Sequence, residues 1–243
     1  MASLEAYRRQ LPYSYAPGLF PTLEALTKAP EQVTRVLISS RAQESEALSR
    51  IRQLCAQHGI RTEAADRVLQ RLSQKDNCFA AAVFHKTPGA LKAQARHLVL
   101  HNPMDKGNVG TLLRTALGFG FVDVAVILPA ADLYDPHVVR ASMGAIFSLR
   151  VREYDDFDAY RADYPAHHLY PFMLDGAVSP ETAARGAALP WALVMGNEGN
   201  GLPHAFAQLG TPVRIQHSDK IDSLNLAIAA SIGMYVFDQY AGE

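Results

Sequence analysis

Cysteine is nearly absent from this chain, with Cys55 and Cys78 the only two in 243 residues. Two thiols cannot build a disulfide framework, and they lack the paired spacing of a metal site. They read as reduced core residues of a cytosolic protein. An excess of charge of one sign is also missing: 23 basic side chains meet 24 acidic ones, for a net charge of −1. Taken whole, that balance offers nothing to attract a nucleic acid. No hydrophobic run is long enough to cross a bilayer. The best candidate, LNLAIAASIGMYVF from Leu224 to Phe237, is interrupted by Asn225 and Ser231 and falls short of the roughly 20 residues required. It reads as a buried helix. The opening MASLEAYRRQLPYSY has no apolar core of a secretory signal, so the cytoplasm is the expected compartment and no membrane partner is expected. His137, His167, His168, His204 and His217 show no metal-ligand spacing, so no metal is expected. There is no G-x-S-x-G element either.

What is present is a globular composition, 49% hydrophobic and 19% charged, in a chain long enough to bury roughly 70% of its unfolded surface. The charge is unevenly spread. Residues 1–94 carry 13 basic and 8 acidic side chains, and residues 95–243 carry 10 and 16. A basic module joined to an acidic one predicts two units with different partners. In the first, FPTLEALTK, ESEALSRIRQLCAQHG and DRVLQRLS have helical patterns, with Asp66 placed to cap the last. VTRVLIS and CFAAAVFH read as strands, making a small α/β unit. KTPGALKAQ (86–94), with Pro88 and Gly89, marks the boundary.

The second half alternates more strongly. HLVLHN, DVAVILP, LRVREY, HLYPFML, WALVMG and PVRIQH read as buried strands. Helices are predicted to start near Asn108, Asp135, Asp155, Ser179, Pro203 and Ser223. That alternation predicts a mostly parallel sheet covered on both faces. Ligands of such sheets bind at the carboxyl ends of strands, which directs attention to the loops after Asn102, Met195 and Ile215.

Three loops there carry chemistry. In the first, NVGTLLRTALGFGF, Asn108 is a candidate N-cap, and Gly110 leaves room on the helix face of Arg114. Its plain alternative is a capped helix with a solvated arginine. The second, LVMGNEGNGL, runs from an apolar strand into glycines at 196, 199 and 201 around Glu198. Their order is not the dinucleotide fingerprint or a P-loop, and a carboxylate there would repel phosphate. This leaves a tight backbone turn presenting one acid, or an ordinary turn. The third, IQHSDKIDSLNLAIAA, sets Ser223 and Asn225 at the start of an apolar helix, after Lys220. A helix needs one N-cap, so Asn225 is left over and available to hold substrate.

Together, NVGTLLRTALGFGF, VMGNEGNGL and IDSLNLAIAA, with PHVVRASMGAIF between the first two, closely resemble in order and spacing the motifs of the SpoU/TrmH family. These are SPOUT-class, S-adenosyl-L-methionine-dependent RNA ribose 2′-O-methyltransferases. The resemblance implies an α/β fold whose parallel sheet is tied into a trefoil knot, otherwise almost absent from proteins. It also implies a homodimer with the cofactor pocket beside the interface, and a transfer or ribosomal RNA substrate. It makes Asn108, Arg114, Glu198, Ser223 and Asn225 the active-site residues, with Arg114 at the ribose hydroxyl. Met195, Gly196, Asn197, Gly199, Ile215 and Leu224 would line the cofactor pocket. Lys106, Arg140 and Lys220 are expected to meet RNA phosphates. Residues 1–94 resemble, more loosely, the L30e-like RNA-binding domain of some members, leaving 95–243 as the catalytic domain.

The chain departs from the family where it has Ile215-Gln216-His217 for the frequent Ile-Pro-Met, Asp219 for a glycine, and Lys106-Gly107 for Asp-Pro. Two alternatives differ in class. A non-catalytic RNA-binding protein retaining the fold would bind no cofactor, and a nucleotide-dependent oxidoreductase would hold a nicotinamide.

Overall fold

The computed structural model describes residues 5–72 and 78–242, which fall into two compact units. One comprises residues up to Thr87 together with Asp132–Ser148. The other comprises Pro88–Ala131 and Leu149 onward. A single cut near residue 94 therefore does not describe the division in space, because the 132–148 stretch of the family-like segment joins the first unit. That unit then carries 13 basic and 10 acidic residues, and the other 10 and 14. The charge asymmetry keeps its sign and shrinks.

The first unit contains β1 (Tyr13–Pro17), α1 (Leu19–Lys28), β2 (Val33–Ile38), α2 (Glu46–His58), β3 (Arg61–Ala64), α3 (Asp66–Leu72) and β4 (Ala80–His85). The sheet order is β1-β4-β2-β3, parallel only between β2 and β3. Ser45 caps α2 by accepting from the Leu48 amide at 3.2 Å, and Gly59 ends it in the left-handed region that only glycine enters freely. Asp66 opens α3 rather than preceding it, and its carboxylate accepts from the hydroxyls of Ser39 and Ser40.

The second unit begins with β5 (His97–His101), α4 (Lys106–Gly118) and β6 (Asp123–Ile127). The chain then supplies the first unit with α5 (Pro136–Ala141). It resumes with β7 (Arg150–Tyr154), α6 (Phe157–Asp163), β8 (His168–Pro171), α7 (Pro180–Arg185), β9 (Trp191–Met195) and α8 (Leu226–Tyr240). All five strands are parallel, in the order β7-β6-β5-β9-β8. The runs at β5, β6 and β9 are buried along nearly all their length, as a parallel sheet covered on both faces requires, whereas β7 at the sheet edge buries only Val151 and Tyr154. Phe237 fixes α8 to the sheet. It is fully buried, with its ring 5.1 Å from Trp191 and 4.9 Å from Tyr170, and contributes roughly 1.5–3 kcal/mol by burial alone.

PVRIQH is not a strand. Residues 211–214 are instead clasped on both sides by one loop. The Thr211 and Val213 amides donate to the Leu169 and Pro171 carbonyls, while the Arg214 amide donates to Val178. In return, the Met173 amide bonds Val213, and Ala177 bonds Pro212. A Cβ on Gly176 would lie 2.4 Å from the Val213 carbonyl carbon, and one on Gly210 would lie 2.1 Å from the Leu169 oxygen. The two segments therefore approach too closely for a side chain at either glycine.

In the first unit, the 132–148 stretch is tied down by Tyr7, whose hydroxyl donates to Asp132, and by Ser14, which donates to the Tyr134 carbonyl. Phe147 meets Phe84 edge-on at 4.8 Å. Gly144 takes φ 82°, and a Cβ there would press on Glu24 and Pro21.

Candidate active site

β5 and β9 are neighbours, so the loops leaving their carboxyl ends lie side by side. Asn102 ends β5 at φ 54°, a left-handed conformation that asparagine tolerates better than most residues. Its carbonyl accepts from the Asn197 side-chain amide at 2.7 Å. The Asn197 side-chain oxygen in turn accepts from the Gly199 and Asn200 amides, at 2.8 and 3.2 Å, and the Asn197 and Gly201 backbones pair in both directions. The glycine-rich loop is thus a closed turn. Gly196 has no alternative there, since a Cβ would sit 2.3 Å from the Gly201 carbonyl carbon.

Glu198 occupies a cradle of donors at the entrance to α4. One carboxylate oxygen accepts from the Asp105 amide at 3.0 Å and the Asn108 side chain at 3.3 Å. The other accepts from the Met104 amide at 3.1 Å and the Asn197 side chain at 3.4 Å. Partial burial opposes the charge. The backbone amides of Met104 and Asp105, with the Asn108 amide, outweigh it and hold the carboxyl below its ordinary range. The positive end of the α4 dipole favours the same ionised form.

Asn108 is not the N-cap of α4. Asp105 is, accepting from the Asn108 amide at 2.7 Å. The Asn108 side chain is thereby left to bridge, donating to Glu198 and accepting from the Asn225 side-chain amide at 3.1 Å. Likewise Asn225, not Ser223, caps α8, its oxygen accepting from the Ala227 and Ile228 amides. One asparagine therefore does both jobs, capping and reaching. The three motif loops are joined in a single hydrogen-bonded line, Asn225 to Asn108 to Glu198.

Beside this line is a cavity of about 490 Å³, within the size range of small-ligand sites. Met195, Gly196, Asn197, Gly199, Ile215 and Leu224 all line it, as do Glu198, Ser223 and His217. Its wall combines apolar side chains with glycine backbone edges, a surface suited to a flat heterocycle. Leu174 and Phe172 also line it; the strand pattern HLYPFML carries them without marking them as site residues. Arg114 does not line the cavity. It is exposed on α4 and makes no hydrogen bond or ion pair with any described residue. Lys106 and Lys220 are also exposed, at the start of α4 and before α8, whereas Arg140 lies on α5 in the first unit. Two residues that sequence reasoning passes over, Asn102 and Asp105, position the loops. Their signal is an Asn at a strand end and an Asp three residues before Asn108. Among the described residues no cluster of His, Cys, Asp or Glu could hold a metal, and no helix is long and apolar enough to cross a membrane.

Residues 95–235 match the SpoU rRNA Methylase family. The chain is 27% identical over 164 residues to the 23S rRNA (guanosine(2553)-2′-O)-methyltransferase RlmP of Bacillus subtilis, covering 64% of this chain and 62% of that protein. It is 29% identical over 157 residues to the 23S rRNA (uridine(2479)-2′-O)-methyltransferase of Streptomyces viridochromogenes, covering 57% and 50%. The chain thus spans about half to six-tenths of the length of these curated relatives. The AdoMet-bound rRNA methyltransferase of Sinorhizobium meliloti shares the fold over 94% of this chain and 87% of its own, with a TM-score of 0.78 at 22% identity.

Proposed function

The chain belongs to the SpoU rRNA methylase family, and from that premise we propose that it transfers a methyl group from S-adenosyl-L-methionine to a ribose 2′-hydroxyl of a structured ribosomal or transfer RNA. The observation that carries this reading is the Asn225–Asn108–Glu198 line beside a cavity walled by Met195, Gly196, Ile215 and Leu224. The apolar slot and glycine backbone edges fit the adenosine of that cofactor.

The bound cofactor supplies an already activated methyl group. What is left to the protein is to place the ribose hydroxyl in line and help its proton leave. Glu198 is ill suited to take that proton, because both oxygens are engaged and its carboxyl is held ionised below the usual range. Its role is to fix Asn108 and the α4 entrance. Arg114 has all its donors free for RNA, but a guanidinium keeps its proton in proteins and is a poor base. Arg114 orients the hydroxyl and stabilises the developing alkoxide, together with a neighbouring RNA phosphate. Ser223, exposed at the cavity wall, and Lys106 and Lys220 hold the substrate strand.

The more basic first unit, an L30e-like domain in this reading, captures RNA through phosphates, now with Arg140 among its residues. Ile228 and Tyr235, 53% and 52% exposed on α8, are the seam of a homodimer with the cofactor cavity beside it. The cytoplasm, where that RNA resides, is the compartment. Mapping 2′-O-methyl sites by mass in RNA from a deletion strain tests the activity. One site should vanish; an unchanged map would overturn it. Arg114→Lys keeps the charge but loses the planar fork. It should lower methyl transfer by about 100-fold while cofactor affinity stays constant, and near-normal transfer would remove the guanidinium from the mechanism.

A further inference from the structure

We propose that His217 is a cofactor-binding residue, its Nε2 accepting a hydrogen bond from an N–H or O–H group of bound S-adenosyl-L-methionine. The inference rests on the methyltransferase reading and adds a side-chain contact to the apolar groups and glycine backbone of the cavity wall.

The ring's tautomer follows from its neighbour. His217 Nδ1 lies 3.2 Å from the Ser218 carbonyl oxygen. A carbonyl can only accept, so Nδ1 carries the proton and, in the neutral ring, Nε2 presents a lone pair. That Nε2 is buried and has no hydrogen-bond partner among the described residues. Burying an acceptor without a partner is costly, and such atoms in folded proteins are few and call for an explanation. The other orphaned ring nitrogen, Nδ1 of His101, belongs to a ring packed against Phe206 and Phe157, outside the cavity wall. His217 is part of that wall, with Gly196, Ser223 and Leu224.

Three polar side chains of the wall, Asn197, Glu198 and Asp175, are already engaged. Asn197 is held by the Asn102 carbonyl and by the Gly199 and Asn200 amides, and Glu198 by four donors. Asp175 pairs with His204 at 3.0 Å. An acceptor held out of water on a ligand cavity is completed by a donor that arrives with the ligand. S-adenosyl-L-methionine has three kinds, the adenine amine, the ribose hydroxyls and the methionyl ammonium.

The test is titration calorimetry on the full-length chain and on His217→Phe and His217→Gln, with S-adenosyl-L-methionine and with 5′-methylthioadenosine, which lacks the amino-acid end. His217→Phe, a ring without an acceptor, should bind the full cofactor about three- to tenfold more weakly. His217→Gln, whose Oε1 can accept, should recover most of that loss. An equal loss with 5′-methylthioadenosine places the donor on the nucleoside, and a loss confined to the full cofactor places it on the ammonium; both support the contact. A long-range proton–nitrogen spectrum of the wild type should also show the His217 Nε2 resonance moving when cofactor binds, a readout that stands even where a variant fails to fold. Unchanged affinities in His217→Phe, or an Nε2 resonance that does not move, would overturn the proposal. A wild-type chain that binds no cofactor would refute the methyltransferase reading itself, and this contact with it.

Discussion

Replacing Glu198 by glutamine tests whether this residue clasps the site or performs chemistry. The carboxylate has acceptor oxygens on both sides, and donors meet both. Asp105 and Asn108 meet one oxygen, and Met104 and Asn197 meet the other. A glutamine has one oxygen, so whichever way the amide turns, its NH₂ faces two donors that lose their acceptor. Hydrogen bonds to a buried charge contribute about 1.5–3 kcal/mol each. Glu198 is partly exposed and two of its bonds are long, so the low end applies, and Glu198→Gln should cost about 2 kcal/mol in total. With a urea slope of about 2 kcal/mol/M, the unfolding midpoint should fall by about 1 M. The acid dependence supplies a sign. A carboxyl held below its ordinary range contributes stability that is present above its unfolded pKa of about 4.3 and lost as pH falls through its folded value. The gap between wild type and variant should therefore be full at pH 7 and close in strong acid, where Glu198 is itself protonated. A variant as stable as wild type at pH 7 but unable to transfer methyl groups would refute the clasp and restore Glu198 as a proton acceptor.

Gly196→Ala pushes a methyl into the Gly201 and Leu202 backbones, at 2.3 and 2.5 Å. Backbone cannot step aside as a side chain can, so the variant should lose about 3 kcal/mol or more of stability and measurable cofactor binding; calorimetry showing wild-type affinity would contradict the close crossing. Asn225→Asp keeps the oxygen that caps α8 but removes the amide that reaches Asn108, whereas Asn225→Ala loses both. The alanine variant should be about 1 kcal/mol less stable than the aspartate one, and equal thermal midpoints would argue against the cap. Burial, reinforced by the charge of His97, pushes the His167 imidazole down to about 4, while an unfolded histidine titrates near 6.5. The folded state refuses a proton that the unfolded chain accepts, so stability should drop by about 3 kcal/mol as pH falls from about 6.5 to 4. His167→Phe should flatten that slope in thermal melts, and an unchanged slope would remove His167 as its source.

The parallel sheet of the second unit is legible in the sequence because burial on both faces demands uninterrupted apolar runs, and DVAVI and WALVM are such runs. The three loops are legible because glycine, asparagine and glutamate after those runs have little reason to be there otherwise. Periodicity fails where partners are distant. β3, Arg61–Ala64, is a polar edge strand held mainly by its ladder with β2. PVRIQH alternates like a strand, yet residues 211–214 are held by hydrogen bonds to the end of β8 and the loop after it. Pro136 after Asp135 announces a helix. No local pattern reveals that its stretch answers to Tyr7, Ser14 and Phe84 in the first unit. Within the site, composition leaves Asn225 over for substrate, with the cap supplied by the other polar residue, Ser223. Only tertiary structure shows Asn225 doing both jobs, since its second partner, Asn108, is 117 residues away.

The choice of amides along this line has a directional logic. Asn225 spends its oxygen on the first turn of α8 and its NH₂ on Asn108. Asn108 spends its oxygen on Asn225 and its NH₂ on Glu198. Every donor points the same way, and the line ends on the one group in it that only accepts. An aspartate at position 108 could not continue it, because it would offer no proton to Glu198 and would place a second carboxylate about 3.3 Å away. A serine would be too short to bridge. The arrangement thus needs a group that donates and accepts at fixed separation, twice, and one charge, seated where backbone amides and a helix dipole already hold it. No ligand is required to complete these bonds, so the loops that wall the cavity are held in register before anything enters it. Binding then does not bear the cost of ordering them, and the interaction energy is available for placing the reacting groups.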